Sequence, residues 1–215
     1  MFTQSIDYLT FGGLNSNKKP TRFVNLVDVL SQKSCVHSEL PVKLKEAHVF
    51  EFRDSLLLCT TFSQGNKNYL QCFTWSESAR NWQNFNVPTQ NWEEKFISAV
   101  KVPNFGIWFF GGKDSLLLNE NGDWISGPKW THARTRACSV VISDTKVAHL
   151  GGKKVEDRAD TSDTIDVYDF SNPASPVESL NVAQMGWNRK HLSCALIPKG
   201  QNNHPTVAIC KLIIF

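Results

Sequence analysis

Short apolar runs recur along the 215 residues of this chain, each broken after a few positions by Gly, Pro, Asn or Asp. Runs of that length, punctuated by turn residues, predict strands in close succession rather than helices. Three of them end on a glycine pair: Tyr8-Leu9-Thr10-Phe11 before Gly12-Gly13, Trp108-Phe109-Phe110 before Gly111-Gly112, and Val147-Ala148-His149-Leu150 before Gly151-Gly152. The last two pairs lie 40 residues apart and the first two 99, about two repeats, so another unit belongs between them. Leu56-Leu57-Leu58-Cys59 supplies it, with Thr60-Thr61 where the glycines would stand, at spacings of 48 and 51. Self-similarity at about 40–50 residues predicts a radial all-β repeat in which each unit contributes one small sheet.

The units fall at approximately 1–44, 45–92, 93–130, 131–188 and 189–215, and a complete one reads as four short strands. In the second unit these are 47–52, 56–60, 69–75 and 82–87; in the third, 95–102, 105–110, 115–119 and 123–126; in the fourth, 136–142, 146–150, 164–169 and 177–180. A strand that must turn sharply beside a neighbouring backbone needs a residue that tolerates positive φ and lacks a Cβ, which gives Gly12, Gly13, Gly111, Gly112, Gly151 and Gly152 a structural reading. Trp82 and Trp124 occupy matching places in fourth strands, each followed within six residues by proline. They read as rings that fill the space between neighbouring sheets, each with an N–H able to reach a backbone carbonyl.

The succession Leu150-Gly151-Gly152, then Ile165-Asp166-Val167-Tyr168-Asp169, then Leu180, with Arg189 and His191 opening the next strand, resembles the kelch repeat over essentially the whole chain. Thr60-Thr61 in place of one glycine pair, and a Tyr-Asp element intact only once, depart from that pattern. The resemblance implies a kelch-type β-propeller, here incomplete, with about four four-stranded blades plus the start of a fifth. Only five residues precede Ile6, so the first unit opens at its second strand, and the fifth stops soon after Cys210. A fragment of a longer propeller is the expectation. The segment around Cys35, Cys59 and Cys72 also resembles the cysteine-bearing kelch-type proteins that animals secrete, which implies an extracellular parent, with a cytoplasmic one as the alternative.

Charge and cysteines narrow the picture. A net charge of +3, with Lys18-Lys19 and Arg22 as the densest basic cluster, leaves no electrostatic footprint for nucleic acid. No apolar stretch reaches the roughly 18 residues of a membrane helix, and residues 1–10 lack a basic segment followed by an apolar one. The six cysteines are too dispersed for a zinc ribbon or a redox pair, so no metal or cofactor is expected. If 58–60 and 70–71 pair about Gly65-Asn66, facing residues have numbers summing to 131, which sets Cys59 opposite Cys72 at a closely spaced, non-hydrogen-bonded site. They are a disulfide candidate, with two buried thiols as the alternative. Cys138 and Cys194 fall one place out of register in adjacent first strands and are not paired; Cys210 reads as a core residue of the last strand.

Little in the chain announces a reaction. His132 near Arg134 and Arg136, and His191 near Arg189 and Lys190, open first strands, where such residues satisfy loop carbonyls. No Ser or Cys stands near a His in a nucleophile motif, and Phe11-Gly12-Gly13-Leu14-Asn15 is no phosphate loop. The carboxylates of Glu156, Asp157 and Asp160 match no calcium cage. A copper-oxidase-like propeller fits poorly, because Tyr8, Tyr69 and Tyr168 have no matching set of inner-strand histidines. The expected function is non-enzymatic: a protein-binding scaffold, with a glycan- or glycoprotein-binding propeller as the alternative. The binding candidates are Asn15, Lys18, Lys19 and Arg22 in one loop and Lys153, Lys154 and Arg158 in another, both polar and both following glycine turns.

Overall fold

The computed structural model describes residues 7–28, 30–44, 46–65, 67–88, 97–127, 134–154, 165–171, 178–180, 192–197 and 206–211. All of its regular elements are strands, and the chain divides into two compact units, Met1–Phe62 with Leu70–Val87 and Ser63–Tyr69 with Pro88–Phe215.

The first unit holds two antiparallel sheets. One joins β1 (Asp7–Phe11), β2 (Thr21–Asp28) and β3 (Lys33–Leu44) in sequence order; the other joins β4 (His48–Phe52), β5 (Ser55–Gln64), β6 (Lys67–Ser76) and β7 (Asn81–Phe85). Val24, Leu40 and Leu44 of the three-stranded sheet meet Leu58, Phe73 and Trp82 of the four-stranded one in a single buried cluster. Trp82 fills the middle of it, edge-on to Phe11 with ring centroids 6.0 Å apart. Its indole N–H donates to Ser38 Oγ at 3.2 Å, a side-chain partner where a backbone carbonyl was expected. Cys59 and Cys72 are joined by a disulfide between β5 and β6, with Cα atoms 4.1 Å apart, the close approach of a non-hydrogen-bonded pair.

The second unit repeats the four-stranded plan twice. The first of its sheets is a meander of β8 (Ser98–Val102), β9 (Gly106–Gly111), β10 (Asp114–Leu118) and β11 (Trp124–Ser126). β12 (Arg134–Thr135) then precedes β13 (Cys138–Ser143), β14 (Lys146–Leu150), β15 (Lys153–Lys154), β16 (Ile165–Asp169) and β17 (Glu178–Leu180), of which β13, β14, β16 and β17 form the other meander. β18 (Leu192–Ile197) and β19 (Thr206–Lys211) make a final antiparallel pair. Alternation along the strands lets the β13–β17 sheet bury both faces: Val147 and Tyr168 pack with Trp108 and Phe110 of the β8–β11 sheet, whereas Ala148 and Val167 pack with Cys138, Val140 and Leu150. The first strands β8, β13 and β18 neighbour one another in succession.

Two sequence expectations need adjustment. Lys153 and Lys154 do not open a loop; they pair with Arg134 and Thr135 as strands β15 and β12, an element too short to leave a hydrophobic pattern. The thiol of Cys138 is disulfide-bonded, a bond the sequence reading, which declined only the pairing with Cys194, did not assign. The side chains of Cys194 and Cys210 lie outside the described residues, as do His132, Glu156, Asp157, Arg158, Asp160, Arg189, Lys190 and His191. Cys35 is a free, exposed thiol.

Candidate functional site

In the first unit a cleft of about 570 Å³ is lined by Leu9, Val24 and His37 of the three-stranded sheet and by Glu51, Asp54, Ser55, Leu56, Trp75, Glu77 and Trp82 of its neighbour. Local irregularities put its polar groups there. On β3, Val36 and Ser38 pair with the consecutive residues Asn25 and Val24, so His37 is the extra residue of a β-bulge, a device that re-aims a side chain. Arg53 and Asp54, between the facing pair Phe52 and Ser55, both have positive φ, 49° and 59°. That is the geometry of a tight mirror-image hairpin turn, usually given to Asn-Gly, and here it presents Asp54 at the rim. Ser55 Oγ donates to the Trp75 carbonyl at 2.6 Å and ties this turn to β6.

The aromatic wall follows from pairing. Trp75 and Trp82 are direct cross-strand partners on β6 and β7, with centroids 5.5 Å apart, and the His37 ring lies 5.4 Å from that of Trp75. The Trp75 indole N–H donates to Glu77 Oε1 at 2.8 Å, which fixes both the ring and the carboxylate. The cleft thus combines flat apolar faces with three carboxylates, and its lining contains no lysine or arginine. No group of carboxylate, His and Cys side chains among the described residues can hold a metal ion.

The second unit brings together residues far apart in sequence. Ser139, His149 and Asp166 stand side by side across β13, β14 and β16. Ser139 Oγ shares a hydrogen bond of 2.8 Å with His149 Nδ1 and another of 2.8 Å with Ser98 Oγ on β8. Arg134 Nη2 donates to Asp166 Oδ2 at 2.6 Å, both side chains being 1% exposed. The order serine, histidine, aspartate invites comparison with a hydrolytic triad, but the environment opposes that chemistry. His149 is 4% exposed, and burial, then the Arg134 charge, pushes its pKa down to about 3. A general base needs a pKa near the working pH and access to its substrate. This row instead satisfies buried polar groups where two sheets meet.

The residues singled out from sequence are distributed as follows. Asn15 accepts from the backbone N–H groups of Asn17 and Lys19 at 3.0 Å each and so organises the loop after the first glycine pair, where Lys18 (φ 57°) and Lys19 are exposed. Arg22 is paired with Glu39 at 2.7 Å. None of these four residues, nor Lys153, lines the cleft. Of the glycines, Gly12, Gly13, Gly112, Gly151 and Gly152 have positive φ, whereas Gly111 ends β9 in extended conformation. A Cβ on Gly152 (φ 91°) would lie 2.7 Å from the Thr135 carbonyl oxygen. Trp124 packs on Phe109 with centroids 5.6 Å apart. The cleft was missed from sequence because His37, Glu51, Asp54 and Glu77 form no local motif; the adjacent Trp75 and Trp82 were its one readable sign.

No family model and no curated protein matches the chain. No helix among the described residues is long and apolar enough to cross a membrane.

Proposed function

We propose that the chain is part of a kelch-type β-propeller and acts as a non-catalytic, protein-binding scaffold, with the cleft of the first unit as its recognition site. The propeller reading is supported by meandering four-stranded antiparallel sheets, by glycine pairs at the ends of β1, β9 and β14, and by the side-by-side succession of β8, β13 and β18. The observation that carries the binding reading is the cleft itself: a concave site walled by Trp75 and Trp82, with a few convergent polar groups held by bulge and turn geometry. Aromatic faces ringed by polar groups are where binding energy concentrates in protein interfaces. A glycan or glycoprotein is the alternative ligand, favoured by the flat, half-buried Trp75 ring next to carboxylate acceptors.

Selection of displayed random peptides on the immobilised full chain tests the reading. Enriched peptides are expected to lose affinity for the Trp75→Ala and Glu77→Gln variants and to keep it for Lys18→Ala/Lys19→Ala. Glu77 is exposed, so its variant is expected to fold normally and separates lost recognition from lost structure. Peptides that bind all variants alike would refute the cleft as the site.

A further inference from the structure

Resting on that binding reading, the charge and aromatic geometry identify what the cleft takes, and we infer that it receives a cationic side chain, an arginine or lysine, from a partner protein. Glu51, Asp54 and Glu77 line one cleft, in a chain whose overall charge is +3, so the site runs against the sign of the whole molecule. No lysine or arginine is among the residues that line it. Arg53, next to Asp54 in the rim turn, lies over the Phe52 ring at 5.3 Å, and Arg22 is paired with Glu39. Neither residue lines the cleft.

The aromatic wall gives the second reason. A cation within about 6 Å of an indole face is attracted by the ring quadrupole, and tryptophan is the best such partner. Donation from the Trp75 N–H to Glu77 Oε1 puts negative charge at the ring's edge and holds the indole in place. A guest cation therefore meets a face and a carboxylate already set together, without the cost of ordering either. Arginine, planar and weakly hydrated, stacks on aromatic faces and matches carboxylates. His37, on its bulge, adds a third ring to this wall, its centroid 5.4 Å from that of Trp75.

Fluorescence anisotropy of a labelled glycine-serine-arginine peptide on the full chain is the test, beside the same peptide with citrulline for arginine and a neutral oligosaccharide. Citrulline keeps the shape of the side chain and removes its charge. The arginine peptide is expected to bind, the citrulline peptide at least tenfold more weakly. Glu77→Gln and Asp54→Asn are each expected to weaken binding roughly threefold to fivefold, the range of exposed charge pairs, and the loss is expected to grow as salt is lowered. Equal binding of arginine and citrulline peptides would overturn the inference. Trp75-dependent binding of the oligosaccharide, with the arginine peptide unbound, would overturn the inference but leave the cleft as a binding site. No probe depending on Trp75 would overturn both.

Discussion

Acidification is expected to destabilise the second unit through a single side chain, His149. Its imidazole sits buried between Ser139 and Asp166 in the register of the sheet, with Phe110 5.4 Å away, and stays uncharged down to about pH 3. In the unfolded chain a histidine takes up its proton near pH 6.5. Between those two values the unfolded state binds one more proton than the native state, so stability rises with pH throughout that window and levels off above it. Each pH unit inside the window is worth about 1.4 kcal/mol. Going from pH 7.5 to pH 5.0 crosses about one and a half units of it, which amounts to about 2 kcal/mol lost. Urea unfolding followed by tryptophan fluorescence at the two pH values reads this directly. His149→Gln keeps a hydrogen-bonding group for Ser139 and removes the titration, so its midpoint is expected to move much less between pH 7.5 and 5.0 than that of the parent chain. The five remaining histidines act as a common background in both proteins. If parent and variant lose the same stability on acidification, the burial argument is wrong.

Glycine 152 and glycine 13 share a positive φ, 91° and 95°, but differ in surroundings. Gly152→Val, which drives a Cβ onto the Thr135 carbonyl and Ala137, is expected to cost about 2–4 kcal/mol, while Gly13→Ala, with nothing within 4 Å, should cost about 1 kcal/mol of backbone strain alone; equal urea midpoints would contradict this. Removing the Cys59–Cys72 bridge, which spans a separation of 13 residues, with a double alanine variant should lower stability by about 3 kcal/mol, and peptide mapping under non-reducing conditions should recover the two cysteines as one linked species from the parent. Arg134→Met alone removes the guanidinium paired with the buried Asp166 carboxylate and is expected to cost about 3–5 kcal/mol, whereas Arg134→Met with Asp166→Leu should recover most of it; a double variant as unstable as the single one would show the pair is not what holds that junction.

Much of the fold was legible because it depends on neighbours in sequence. Apolar runs between Gly, Pro and Asx turns marked strands β4 to β11 within a few residues, and the hairpin arithmetic around Gly65 placed Cys59 against Cys72. Counting along one hairpin works because its turn sets the register of both strands. The disulfide of Cys138 left no such signal, because no single hairpin of the sequence places a second cysteine opposite it. Lys153-Lys154 looked like loop because a two-residue strand has no period to detect.

What the amino-acid order determines alone is therefore local: where strands start and stop, which residues alternate inward, and which cysteines one hairpin brings together. Only the tertiary structure decided how Arg134 reaches Asp166 across 32 positions, how Ser98 meets Ser139 between sheets, and how His37, Glu51, Asp54, Trp75 and Glu77 converge on one cleft. These groupings depend on how one sheet faces another and on a bulge that turns a single side chain. Their physical cause is packing between surfaces distant along the chain, for which hydrophobic periodicity carries no record.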